Sequence, residues 1–109
     1  MAQKNILLVC SAGMSTGLLV SRMEAAAAND NVDVQVVAIG AAEVNNELVD
    51  MQPDVILVGP QVRYLADQLQ SKLDVPVAVM NTHDYAGLDG ERLLQTALDT
   101  IAHAPTCAS

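Results

Sequence analysis

Four short apolar runs, each followed by residues at helical spacing, constrain this chain more than any other feature. Ile6 to Val9 leads, through Cys10 and a small-residue stretch, to Leu19, Met23, Ala26 and Ala27 on one helical face. Asn29, Asp30 and Asn31 end that helix, because their side chains compete for backbone hydrogen bonds. Val32 to Ile39 begins by alternating apolar and polar residues, as an edge strand with one wetter face does. Ala41 to Met51 follows as a short amphipathic helix carrying Val44, Leu48 and Met51. Val55 to Val58 is unbroken apolar sequence, the pattern of a central parallel strand. Val62, Leu65, Ala66, Leu69 and Leu73 then mark a helix, and Pro76 opens a fourth strand over Val77 to Met80. A polar loop from Asn81 to Gly90 precedes a last helix on Leu94, Ala97, Leu98 and Ile101, with Asp89 as its cap.

Strands that alternate with helices are joined by right-handed crossovers and form a parallel sheet covered on both faces. The fold class is therefore α/β, a single-domain open four-stranded parallel sheet with helices on both faces. Placing the two most apolar strands at the centre gives the strand order 2-1-3-4. The domain is expected over 1–104, with 105–109 a flexible tail that carries Cys107. A binding crevice is then expected outside the C-terminal ends of the first and third strands, where the order reverses.

Charge and composition exclude several functions. The 109 residues carry a formal charge of −8, which repels nucleic acid and anionic lipid, and Tyr64 and Tyr85 are too few for a base-stacking platform. The longest apolar run is far too short to span a bilayer, and the N-terminus reads as a strand rather than a signal peptide, so a cytoplasmic protein without membrane insertion is expected. Two cysteines make no disulfide framework, no His/Cys cluster has metal-ligand spacing, and nothing points to a cofactor.

Chemistry concentrates at the expected crevice. Cys10 ends the first strand, and Ser11, Ala12, Gly13, Met14, Ser15, Thr16 and Gly17 lead from it into the helix. Such a loop can turn backbone N–H groups toward an anion, and the helix N-terminus adds partial positive charge, which favours both a thiolate and a bound phosphoryl group. A buried cysteine at a strand end is also a common packing choice. The position at the crevice favours the functional reading. No Lys, Arg or His lies in the loop, and the residue six after Cys10 is Thr16, where a Cys-x5-Arg phosphatase needs a guanidinium clamp. The loop suits holding a phosphoryl group and passing it on. Gln61, Arg63 and Tyr64, after the third strand, are candidate auxiliary residues, whereas His83, Asp84 and His103 read as solvated, turn and helix-end residues. Met14 is a candidate apolar rim for docking.

The segment Ile6-Leu7-Leu8-Val9-Cys10-Ser11-Ala12-Gly13-Met14-Ser15-Thr16 closely resembles the active-site segment of the enzyme IIB component of the lactose/cellobiose (diacetylchitobiose) class of the bacterial sugar phosphotransferase system. Leu57 to Tyr64, and Tyr85 followed by Leu88-Asp89-Gly90, are similar to the same family. The resemblance implies that Cys10 is a phosphocysteine, charged by a phosphohistidine on a phosphorylated IIA protein and discharged to a sugar bound in the IIC membrane component. It implies that Ser11 to Gly17 cradle the phosphoryl oxygens. Gly17 is a departure, since relatives often carry Ser there; loss of one hydroxyl is expected to tune affinity and leave transfer intact. Two alternatives share parts of this reading. One is a thiol enzyme like the low-molecular-weight tyrosine phosphatases or arsenate reductases, which have the same strand–Cys loop–helix arrangement. The other is a non-catalytic IIB-like regulatory module, disfavoured because the domain fills the chain and leaves no output domain.

Overall fold

The computed structural model describes residues 4–10, 16–40, 53–72, 75–87 and 89–103. The expected helix at Ala41 to Met51, the tail with Cys107 and most of the Ser11 to Gly17 loop lie outside the described residues. The strands are β1 (Lys4–Cys10), β2 (Val34–Gly40), β3 (Val55–Val58) and β4 (Val77–Val79). They form one parallel sheet in the order β2-β1-β3-β4, as the apolar pattern predicts. The helices are α1 (Thr16–Asn29), α2 (Tyr64–Lys72), α3 (Thr82–Ala86) and α4 (Gly90–His103), with a 3-10 turn at Pro60–Val62. Among the described residues no helix is long and apolar enough to cross a membrane.

Period-two alternation divides the central strands between two cores. Ile6, Leu8, Val55 and Leu57 point to one face, where Leu19, Met23, Ala26 and Ala27 of α1 meet Leu93, Leu94 and Ala97 of α4. Leu7, Val9, Ile56 and Val58 point to the other, against Val62 and Leu69. Every residue from Ile6 to Val9 and from Val55 to Val58 is buried, because helices close both faces of β1 and β3 and neighbouring strands close their edges.

Register is fixed at the strand starts. The Asn5 N–H donates to Asp54 Oδ2 (2.8 Å), and the Asp54 N–H donates back to the Asn5 carbonyl (2.8 Å), which aligns Ile6 with Val55. Helix α1 closes with a Schellman motif: the Val32 N–H reaches the Ala27 carbonyl (2.8 Å) and the Asn31 N–H the Ala28 carbonyl (3.3 Å). Asn31 takes the left-handed conformation this requires, at φ 59, so the Asn-Asp-Asn cluster stops the helix as expected. At the other edge, Gln70 protects β4: its Oε1 accepts from the Val77 N–H (3.0 Å), and its Nε2 donates to the Val75 carbonyl (3.3 Å). A side-chain amide thereby occupies backbone groups that would otherwise invite another strand.

Three sequence expectations need correction. The polar loop Asn81 to Gly90 contains α3, a five-residue helix too short to show apolar periodicity. Its determinant is Asn81, whose Oδ1 accepts from the N–H groups of His83 (2.8 Å) and Asp84 (3.2 Å). The second strand starts at Val34 rather than Val32, because Val32 is held in the cap of α1. The helix after β3 begins as a 3-10 turn, with the α-helix itself starting at Tyr64. Asp89 behaves as expected: its Oδ1 accepts from the Arg92 N–H (3.1 Å) and caps α4.

Candidate functional site

Parallel strands deliver their C-terminal ends to one edge of the sheet, and the connections out of β1 and β3 leave from the reversal point between them. Cys10 is the last residue of β1, opposite Gly40 of β2 in register. It is present as the thiol, 1% exposed, on the α1 and α4 side of the sheet. Burial of this degree is common to core cysteines. What sets Cys10 apart is its place in the chain, between a central strand and the start of α1.

Gly59 follows β3 and donates its N–H to the Val9 carbonyl (2.7 Å), which draws the end of β3 against the end of β1. A Cβ on Gly59 would lie 3.4 Å from the Val9 carbonyl oxygen, 3.7 Å from Cys10 Cα and 3.7 Å from Gln61 Oε1. These are ordinary van der Waals distances, so Gly59 runs beside Cys10 without a steric demand for glycine, and the Gln61 Oε1 lies near the same point. Of the three auxiliary candidates, Gln61 has its Oε1 near Gly59, which neighbours Cys10; all three are exposed, with Arg63 just before α2 and Tyr64 at its start. The signal for Gln61 was its distance along the chain from Gly59-Pro60, which turns the backbone over the end of β1.

Thr16 opens α1, and the first turn of that helix carries no acidic residue. The partial positive charge of its N-terminus therefore meets no carboxylate from its own turn. Ser11, Ala12, Gly13, Met14 and Ser15 lie outside the described residues. Gly17 is exposed, and a Cβ there would meet nothing within 4 Å. Gly17→Ala is accordingly expected to stabilise the protein by about 0.5–1 kcal/mol, through lower unfolded-state entropy, and thermal denaturation should show a higher Tm.

His83 belongs to a different place. It lines an open groove of about 510 Å³ between α1 and the start of α4, with Arg22, Asn29 and Glu91. A hydrogen bond with the Asp30 carboxyl raises Glu91 above the ordinary carboxylate value; desolvation and the charges of Asp30 and Asp89 push the same way. Asp84 pairs with Arg92 (3.4 Å), a mostly exposed contact that holds α3 to α4 with little energy.

A thiol at the end of a central strand, ahead of a helix start free of acid, is the arrangement that a family comparison can decide. Residues 5–96 match the family described as PTS system, Lactose/Cellobiose specific IIB subunit. The chain belongs to this IIB family. It is 40% identical over 103 residues to the PTS system cellobiose-specific EIIB component of Lactococcus lactis subsp. lactis (strain IL1403), covering 89% of this chain and 95% of that protein. The PTS system galactose-specific EIIB component of Lactococcus lactis subsp. cremoris (strain MG1363) is similar to the same extent, 40% over 103 residues with the same coverage. Among solved structures, the cellobiose-specific phosphotransferase IIB component protein from Borrelia burgdorferi superposes with a TM-score of 0.74 at 37% identity, covering 94% of this chain and 95% of that one. As an IIB family member the chain is a sugar phosphotransferase component, and its fold is that of IIB domains. Two relatives of equal identity carry different sugar names, so similarity at this level does not select the sugar.

Proposed function

We propose that Cys10 carries the phosphoryl group between a phosphohistidine on a IIA protein and a sugar bound in a membrane IIC component. The single observation that supports this most strongly is the position of the thiol: it ends the central strand β1 at the reversal point of the sheet, in a IIB family member. In the first step the Cys10 thiolate attacks phosphorus; an S–P bond forms, the N–P bond breaks, and the imidazole nitrogen leaves with its electron pair and takes up a proton. In the second step a sugar hydroxyl oxygen attacks phosphorus, the S–P bond breaks, and the thiolate is regenerated as the hydroxyl proton passes to a base on the acceptor side. The phosphoryl oxygens are held by the N–H groups of the Ser11 to Gly17 stretch, with the N-terminus of α1 behind them.

Loop chemistry supports a carrier over a hydrolase. Thr16 occupies the place of the guanidinium that hydrolysis of this type uses. Incubation with a phosphorylated IIA protein of this class tests the reading against its rival. The carrier reading predicts stoichiometric labelling by phospho-IIA and no turnover of an aryl phosphate. Steady aryl phosphate hydrolysis without a partner would replace it with the phosphatase reading.

A further inference from the structure

We propose that the Asp30 and Glu91 carboxyls form a proton-operated staple, which draws α1 onto α4 in acid and loosens as pH rises. The device is independent of the carrier function above. Both carboxyls stand on backbone that cannot move apart cheaply. Asp30 directly follows α1, and its N–H donates to the Ala26 carbonyl (3.0 Å). Asn31 completes the helix end at φ 59, which holds Asp30 in place. Glu91 is the second residue of α4. That helix start is fixed by the Leu93 N–H on the Asp89 carbonyl (3.0 Å) and by the Asp89 Oδ1 cap on the Arg92 N–H (3.1 Å). Gly90 then pins it to α1, because its Cα faces the Arg22 backbone with no room for a Cβ.

Between these two anchored ends the Asp30 and Glu91 carboxyls lie within hydrogen-bonding reach. Two carboxylates have no proton to share and repel, whereas a carboxylic acid beside a carboxylate donates to it. Protonated Glu91 therefore bonds Asp30 across the helix pair. The surrounding groups do not cancel the repulsion of the ionised pair. Arg22 of α1, His83 of α3 and Asp89 line the groove beside Glu91, and Asp89 adds a further negative charge. Among the described residues neither Arg22 nor His83 forms an ion pair with Asp30 or Glu91. Arg92, next along α4, is engaged by Asp84. The partial positive charge at the start of α4 favours an ionised Glu91, so it opposes the staple. The hydrogen bond to Asp30 outweighs it, and Glu91 holds its proton above the ordinary range.

The direction of the pH effect follows from linkage. A carboxyl raised by folding binds its proton more tightly in the folded state than in the unfolded chain. Its stabilisation is complete below the ordinary value of 4.5 and is lost as pH rises through the higher folded value. Acidification toward 4.5 thus tightens the crossing of α1 and α4, opposite in direction to the usual acid unfolding of paired carboxylates. Both side chains are exposed, so water and salt keep the effect modest.

The test measures Tm between about pH 7.5 and about pH 4.5 for the parent, Glu91→Gln, Asp30→Ala and the double variant. Glutamine keeps a donor toward Asp30 at every pH, so it holds the staple closed. Near neutral pH Glu91→Gln is expected to melt about 1–3 °C above the parent, and the gap is expected to close as pH falls. In the Asp30→Ala background Glu91→Gln is expected to bring no gain, because its acceptor is gone. A Glu91→Gln variant that melts with the parent or below it near neutral pH would overturn the staple, since the carboxylate would then serve only the start of α4. A gain that persists without Asp30, or that stays constant across the pH range, would overturn it as well. Either result would reduce the effect to removal of one charge from a chain that carries −8.

Discussion

A Cys10→Ser variant is expected to fold and to transfer no measurable phosphoryl group. Replacing Sγ by Oγ substitutes a hydroxyl that is scarcely ionised at neutral pH for a thiol whose ordinary pKa is about 8.5 and whose conjugate base is a strong nucleophile. The expected loss of transfer from phospho-IIA is about a thousandfold or more. The same substitution places a more strongly hydrated group at a position that is 1% exposed within the core on the α1 and α4 side, at a cost of about 1–3 kcal/mol. Cys10→Ala separates the two effects. It should lose transfer equally without introducing a hydroxyl, and a quenched-flow labelling assay beside a urea melt reads both. Transfer at parental rate by either variant would remove Cys10 from the reaction.

Gly90→Ala is expected to be the most destabilising single-methyl change in the described part of the fold. A Cβ at Gly90 would fall 2.5 Å from both the carbonyl carbon and oxygen of Arg22 and 2.8 Å from its Cβ. The obstacle is backbone inside α1, so neither a rotamer change nor a small shift relieves it; the start of α4 must move off α1. That contact orders the core in which Leu93, Leu94 and Ala97 meet Leu19 and Met23. Overpacking of this kind costs roughly 2–4 kcal/mol, and each kcal/mol lowers Tm by about 4–8 °C in a domain of this size. The contrast with Gly17 is the useful control. Gly17→Ala adds the same methyl group in open space and should raise Tm, whereas Gly90→Ala should lower it. Equal melting temperatures for the Gly90 variant and the parent would contradict the close crossing of α1 and α4.

The sequence carried the sheet order because β1 and β3 are buried on every side, and a strand buried on both faces must be continuously apolar. Edge strand β2 was legible for the opposite reason, its alternation. Position along the chain was enough to find Cys10 at the end of β1 with Gly59 close to it, since a parallel sheet with this order leaves one reversal point. Short-range chemistry was harder to see. Helix α3 depends on one amide, Asn81, and five residues give no periodic signal. Gly90 stood out only within a family-like segment; its structural reason is a backbone contact between helices 68 positions apart in sequence, from Arg22 to Gly90, which no local pattern records. Leu18 sits in the apolar run Leu18-Leu19-Val20, where which residue faces the solvent depends on how α1 packs against the sheet. Met14, expected as an apolar rim, lies outside the described residues.

The central claim is that one thiol holds the phosphoryl group between donor and acceptor. Its most direct test is to incubate the protein with phosphorylated IIA, stop the reaction before any sugar acceptor is added, and locate the added mass by peptide mapping. The carrier account predicts a single phosphoryl group on the peptide containing Cys10, lost when a IIC component and its sugar are supplied. A phosphoryl group on His83, His103 or any residue other than Cys10, or an unmodified Cys10 after full discharge of the donor, would contradict it.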